Sequence, residues 1–226
     1  MDLDKVRKHF EEEAFDYDGL ITRLVPKYHE QNKTIVSILP FDRSEGLKIL
    51  DLGCGTGILA YLLLRTFPKA QVVAFDLAEN MLTACERNLR AYKERLTLVK
   101  GNFATDDFGS DYDIVVSGLA THHLGDEEKP RLFKRIYDAL NQGGAFVNRE
   151  VVLGESSSLT DRYHHLWREY IRSNGEDDEK WFNKYLEEDT PAPVEVQTTW
   201  LQEIGFIDVG CYWRYFNYAI FGGVKP

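Results

Sequence analysis

Cysteine is scarce in this chain. Cys54, Cys85 and Cys211 stand far apart, with no CxxC pair among them. An odd, sparse set of this kind makes neither a disulfide framework nor a zinc site. Long apolar runs are also missing: no stretch approaches the roughly 18 residues of a membrane span. The opening residues Met1-Asp2-Leu3-Asp4-Lys5 lack the apolar core of a signal peptide, so a cytoplasmic location is expected. Positive charge is thin and scattered. Lys and Arg number 27 against 37 Asp and Glu, a net charge of −10, and the densest charge run, Glu176-Asp177-Asp178-Glu179, is acidic. Such a surface repels phosphate backbones, so no nucleic-acid partner is expected. There is no internal repeat and no low-complexity linker.

What is present is ample apolar material, 43% of 226 residues, enough for one full core. Residues 4–40 read as helical, with Val6 and Phe10 at helical spacing and a break at Pro26. A helix near 27–39 follows. Apolar strands then alternate with amphipathic helices: strands at 47–52, 71–75, 96–100, 112–117 and 145–153, helices at 58–66, 79–92 and 130–140. Alternation of this kind implies right-handed crossovers and a parallel sheet covered on both faces. Residues 155–189 read as two helices around Ser173-Asn174-Gly175. A helix near 194–204 and strands near 206–213 and 215–224 complete the chain.

The most informative segment is Asp51-Leu52-Gly53-Cys54-Gly55-Thr56-Gly57, which joins a strand to a helix. Doubly wound sheets bind nucleotides at such a turn, where glycine lets backbone approach a ligand closely. The spacing is not that of a dinucleotide fingerprint, whose third glycine would fall at Ile58, and the Lys and Ser/Thr of a P-loop are absent. An NAD-dependent dehydrogenase is therefore disfavoured. The next strand ends at Asp76, nineteen residues after Gly57, where a carboxylate can accept from both hydroxyls of a ribose. After the third strand, Asn102 can pair with an adenine edge and Phe103 can pack on its face.

These residues resemble the class I S-adenosylmethionine (SAM)-dependent methyltransferases. Asp51 to Gly57 matches that family's first motif, Asp76 with Leu77 its acidic ribose motif, and Asn102 the position usually held by Asp. Leu140-Asn141-Gln142-Gly143-Gly144 is similar to the turn before the fifth strand, with Gln142 in place of Pro. Trp200-Leu201, then Gly205-Phe206, is similar to the last helix and the hairpin that follows it. The resemblance covers about residues 45–153 and 194–226. It implies a Rossmann-like, doubly wound α/β fold with a seven-stranded sheet, mostly parallel, with an antiparallel C-terminal strand. A single domain is expected over 1–226: a helical cover at 1–44, a SAM-binding core at 45–153, a helical insertion at 154–193, and the last helix and hairpin at 194–226.

A narrower similarity joins Val25-Pro26-Lys27-Tyr28, the helical insertion and Tyr215-Phe216-Asn217-Tyr218 to the carboxy-SAM synthase branch. That branch has serine in place of Gly55 and an arginine near the end of the insertion, where this chain offers only Lys180 and Lys184. The resemblance implies SAM as cofactor, held by Gly53, Gly55 and Gly57, with Asp51 supporting the loop and the amino group. It also implies Ser117 and Gly118 beside the methyl group and Tyr17 closing over the cofactor.

The partner expected is a small-molecule methyl acceptor, on a monomer or homodimer. A general base is needed only if the acceptor arrives protonated. The candidate is His122, next to His123 just after the fourth strand. His123, and Tyr163 and Trp167 in the insertion, are candidate acceptor contacts, and Arg149 and Arg214 are candidates for an acidic acceptor. No metal is expected, because no carboxylate lies at ligand spacing from the two histidines. Two alternatives remain: an enzyme that acts on SAM itself, like the carboxy-SAM synthases, and a SAM-binding protein without chemistry.

Overall fold

A strand sends successive side chains to opposite faces, so strands that are apolar throughout must be covered on both. The computed structural model, which describes Arg7, Lys8, Glu11 and residues 17–226, builds one sheet this way. Val6, Phe10, Phe15 and Asp16 lie outside the described residues. The strands are β1 (Lys48–Leu52), β2 (Gln71–Asp76), β3 (Leu96–Lys100), β4 (Tyr112–Gly118), β5 (Leu140–Val151), β6 (Ile207–Tyr215) and β7 (Tyr218–Val224). Their order is β3-β2-β1-β4-β5-β7-β6. The first five run parallel, and β7 runs antiparallel to both β5 and β6.

The helices are α1 (Tyr17–Leu24), α2 (Tyr28–Ile38), α3 (Ile58–Thr66), α4 (Glu79–Asn88), α5 (Glu128–Ala139), α6 (Ser157–Ser173), α7 (Asp178–Glu188) and α8 (Val194–Ile204). On one face of the sheet Ile49, Val72, Ile114, Val116 and Val147 meet Ile35 of α2, Leu59 and Leu63 of α3, and Leu82 and Cys85 of α4. On the other, Leu50, Leu52, Val115, Phe146 and Phe221 meet Leu132, Phe133 and Ile136 of α5 and Leu201 of α8. Each buried aliphatic or aromatic side chain of this kind contributes about 1.5–3 kcal/mol. The period-two alternation in β1 and β4 is thus what separates the two layers.

Three boundaries differ from the sequence expectation. The helix expected over 79–92 ends at Asn88 and passes into a 3-10 turn, Arg90–Arg95. From that turn the Arg95 guanidinium donates to the carbonyls of Leu64, Phe67 and Ala70, satisfying acceptors at the end of α3. Strand β5 starts at Leu140 rather than 145, because Leu140 pairs with Tyr112 ahead of a register shift. The hairpin turn falls at Phe216-Asn217, later than the expected break between 213 and 215.

The insertion, α6 and α7, packs over α1. Trp167 Nε1 donates to the Leu24 carbonyl at 2.8 Å, Tyr170 OH to the Thr22 carbonyl at 2.8 Å, and Arg23 pairs with Glu176 at 2.6 Å. Ser156 and Asp177 cap the two insertion helices through Leu159 N and Lys180 N. Trp167, Ile171, Trp181 and Tyr185 join Ile21, Val25 and Tyr28 in a third apolar cluster, which roofs the C-terminal ends of the strands. No helix among the described residues is long and apolar enough to cross a membrane.

Candidate functional site

In a doubly wound sheet the strand order reverses once, and loops on either side of that point diverge to leave a crevice. Here the reversal lies between β1 and β4. A cleft of about 870 Å³ opens there. It is lined by the loop after β1 (Asp51, Gly53, Gly55, Thr56), the end of β2 (Asp76, Leu77), the loop after β3 (Asn102, Phe103), the loop after β4 (Gly118, Leu119, Ala120) and Tyr17 of α1.

The glycines divide into two kinds. Gly53 has φ of +69°, and a Cβ there would stand 2.4 Å from Ala120 Cβ, so only glycine lets the loops after β1 and β4 touch. Gly57 has φ of +88°, but a Cβ there would strike Cys85 Sγ at 2.6 Å. Gly57 does not line the cleft; it lets α3 pack against α4. Beside Gly55 a Cβ would meet nothing within 4 Å.

The two acidic residues are held by different partners. Asp76 accepts from Gly55 N at 2.8 Å through one oxygen and from Ala78 N at 2.9 Å through the other, which ties the first loop to the end of β2. Burial pushes its carboxyl above the ordinary range, and the N–H groups of Ala78, Gly55 and Leu77 pull it back only in part. Asp51 accepts from Ala60 N at 3.0 Å through Oδ2. Its Oδ1 is buried and has no hydrogen-bond partner among the described residues. Burial lifts the Asp51 carboxyl to about 7. A buried lone oxygen of this kind costs free energy until a donor arrives.

The other expected residues take varied places. Asn102 Oδ1 accepts from Ala104 N at 2.9 Å, so the residue shapes its own turn while facing the cleft. Ser117 is fully buried and donates to the Leu52 carbonyl at 2.8 Å. It bonds β4 to β1 and lies outside the cleft lining; of the pair expected there, Gly118 lines the cleft, beside Leu119. Tyr17 packs on Ala78 and Met81. Arg149 is buried, donates to Asn32 Oδ1 at 2.6 Å, lies 4.7 Å from the Tyr28 ring centre and lines the first cleft. Its charge acts on Asp51.

A second hollow of about 670 Å³ adjoins the first and shares Tyr17, Leu119 and His123 with it. Trp167, Trp181, Tyr185 and Tyr218 make its aromatic walls, and His122, Lys184, Glu188 and Asp189 supply its polar groups. Tyr163 and Arg214 lie outside both hollows. Tyr163 leans on Phe216, and Arg214 pairs with Glu195 at 2.6 Å on the hairpin side of the insertion.

His122 and His123 form a short 3-10 turn after β4, both buried. Glu150, wholly buried on β5, takes His122 Nδ1 on one carboxylate oxygen and Thr121 Oγ1 on the other. Asp189 lies 3.8 Å from His122 Nε2 and 3.3 Å from His123 Nδ1. Burial pulls the His122 imidazole down, but the carboxylates of Asp189 and Glu150 more than offset it and hold it at about 9. An imidazolium is no proton acceptor, so the base role expected from the sequence requires His122 to lose that proton first.

Sequence reasoning missed Glu150 and Asp189. Glu150 reads as one more strand residue. Asp189 lies 66 residues beyond His123, and it reaches the histidines because Thr190 N donates to the His122 carbonyl at 2.7 Å. The stated ground for expecting no metal, that no carboxylate accompanies the histidines, does not survive folding.

Residues 49–144 match a methyltransferase domain. Across nearly the whole chain the protein is similar to the carboxy-SAM synthase of Nautilia profundicola, at 24% identity over 99% of this chain and 96% of that one. It is 26% identical to that of Shewanella piezotolerans, over 92% and 88%. Among solved structures, phosphoethanolamine N-methyltransferase 2 of Haemonchus contortus in complex with SAM superposes with a TM-score of 0.68 at 20% identity, over 96% of this chain and 57% of that one. Human N-acetylserotonin methyltransferase with SAM gives 0.60 at 18%, over 86% and 51%. The chain spans little more than half the length of these two structures. The likeness establishes the fold: the sheet is the Rossmann-like one of SAM-dependent methyltransferases.

Proposed function

We propose that this protein binds SAM in the first cleft and transfers its methyl group to a small molecule held in the second hollow. The observation that carries the reading is Asp51 Oδ1, a buried carboxylate oxygen that has no partner among the described residues and faces a cleft lined by the glycine loop. An amino-acid ammonium is the donor that such an oxygen fits. Asp76 then takes the ribose hydroxyls on its remaining lone pairs, and Phe103 and Leu77 bracket the adenine. The carboxylate of the methionine part falls to Arg149, which lies near Asp51.

The chemistry follows from the junction of the two hollows. The acceptor's lone pair forms a bond to the methyl carbon, the C–S electron pair stays on sulfur, and the products are methylated acceptor and S-adenosylhomocysteine. A sulfonium is a good leaving group, so the chain's task is alignment and exclusion of water. Such positioning supplies roughly 7–11 kcal/mol in well-oriented cases. The aromatic walls and the α1–insertion roof suit it, and Leu119 and His123 border the transfer line.

The name borne by the relatives supports a second reading, in which SAM itself is remodelled. Lys184 on the wall of the second hollow could offset a substrate carboxylate. Mass spectrometry separates the two. With SAM and a panel of hydroxyl, amine and thiol acceptors, the first reading expects S-adenosylhomocysteine in equal amount to methylated product. With SAM and a 2-oxo acid, a heavier sulfonium without homocysteine product would favour the second and sink the first.

A further inference from the structure

We infer that His122, His123 and Asp189 form a binding site for one divalent transition-metal ion, such as zinc, on the wall of the second hollow. One ligand atom from each residue lies within 4.8 Å of the others. Two ligands of a tetrahedral ion at 2.0–2.1 Å stand about 3.4 Å apart. His123 Nδ1 to Asp189 Oδ1 is 3.3 Å and His122 Nε2 to Asp189 Oδ1 is 3.8 Å, so those two pairs stand within a few tenths of an ångström of that spacing, and the two imidazoles, within 4.8 Å of each other, close the rest by rotating about Asp189. Imidazole nitrogen with one carboxylate is the donor set that zinc, iron and cobalt favour over magnesium or calcium.

The surroundings support the same assignment. A metal-bound histidine usually donates its other nitrogen to a carboxylate, which fixes the ring and its tautomer. Glu150 takes His122 Nδ1 in this way and leaves Nε2 toward Asp189. Glu150 is itself anchored by Thr121 Oγ1 and by Val151 N at 2.9 Å, and Asn148 Nδ2 donates to Thr121 Oγ1 at 2.9 Å. Lys129, fully buried, donates to the carbonyls of Leu124 and Thr190, which pins the segment after Asp189 to the end of the histidine turn. On binding, His123 Nδ1 gives up the Glu188 carbonyl at 3.1 Å and the ion takes the place of the proton that His122 holds toward Asp189. Three protein ligands leave a fourth position, and all three residues line the second hollow. That position would take an oxygen donor of the acceptor, which points to hydroxyl-bearing small molecules. This last step rests on the methyl-transfer reading; the metal site does not.

The test is titration of the chelator-treated, full-length protein with Co²⁺, followed by visible absorption, with zinc competition and elemental analysis as checks. One equivalent is expected, with the bands of a four- or five-coordinate ion. Asp189→Asn and His122→Gln should each weaken Co²⁺ at least tenfold. Glu150→Gln, which only positions His122, should weaken it by about 10–100-fold. His165→Ala, exposed on α6, should change nothing. SAM affinity by calorimetry should be retained in Asp189→Asn, showing that the variant is folded and that the two readings fail separately. Acetohydroxamate, a small oxygen ligand, should shift the cobalt bands, and unmoved bands would overturn the open fourth position. Binding well below one equivalent, or affinity unaltered in both Asp189→Asn and His122→Gln, overturns the site.

Discussion

The two adjoining hollows are built in opposite ways. The first cleft is made mainly by loops that leave the ends of β1, β2, β3 and β4, so most of its lining residues sit within a few positions of a hydrogen-bonded strand, with Arg7, Tyr17 and Tyr28 added from the N-terminal segment. The second is assembled from Tyr17, the turn after β4, two insertion helices and Tyr218 of the hairpin, pieces spread over almost the whole chain. One is held by the backbone ladder, the other by aromatic packing and side-chain bonds such as Trp167 to Leu24. The difference teaches where variation is tolerated. Ligand chemistry in the first cleft depends on few residues and little plasticity, whereas the shape of the second depends on packing that many residues share.

The largest way to test the contrast is Trp167→Ala. Removing this buried indole should cost about 3–5 kcal/mol in urea unfolding, with SAM affinity altered less than threefold where the protein stays folded. A large loss of SAM binding without loss of stability would mean that the two hollows are not separately built. Gly53→Val is the counterpart in the first cleft. Its side chain would overlap Ala120 in a left-handed backbone, and SAM affinity should drop by about 100-fold, or roughly 2.7 kcal/mol, in calorimetry. Asp76→Ala should follow, with more than a tenfold loss; an unchanged constant would remove the ribose from this position.

A pH series sharpens the comparison further. Burial raises Asp51 from 3.8 to about 7, so the folded state binds this proton more tightly than the unfolded chain. Its stability contribution is therefore full below about pH 4 and is lost as pH rises through 7. An ammonium bound beside the charged carboxylate has the reverse preference. SAM affinity should then rise severalfold between about pH 6 and 8, and Asp51→Asn should flatten that slope; a slope that persists in the variant would place its origin elsewhere. The smallest effect is expected at Arg214→Ala. That pair with Glu195 is partly exposed and outside both hollows, so methyl transfer should stay within about twofold of the parent. A larger loss would extend the acceptor site to the hairpin.

Much of the first cleft is legible in the chain. A turn between strand and helix that carries Gly53 and Gly55, followed by an acidic strand end at Asp76, constrains backbone and charge over a short span, and these residues do line one hollow. Gly57 and Ser117 were legible as motif positions but not as to purpose. The neighbour that Gly57 accommodates, Cys85, sits on another helix, and the acceptor that Ser117 finds, the Leu52 carbonyl, sits on another strand. Tyr163 and Trp167 share a helix face by spacing, yet only Trp167 reaches the hollow, because α6 presents different parts of that face to α1 and to the hairpin.

What the sequence determined by itself was everything local: strand and helix periods, the glycine turn, and the acidic residue at the end of β2, since these depend on backbone sterics and on neighbours a few residues away. What only the tertiary structure decided was which distant groups meet. Asp189 beside His122 and His123, Glu150 behind them, and Arg149 near Asp51 are all encounters between separate elements. A one-dimensional pattern carries no distance between such elements; the fold sets it when burial of the shared apolar faces fixes how they pack.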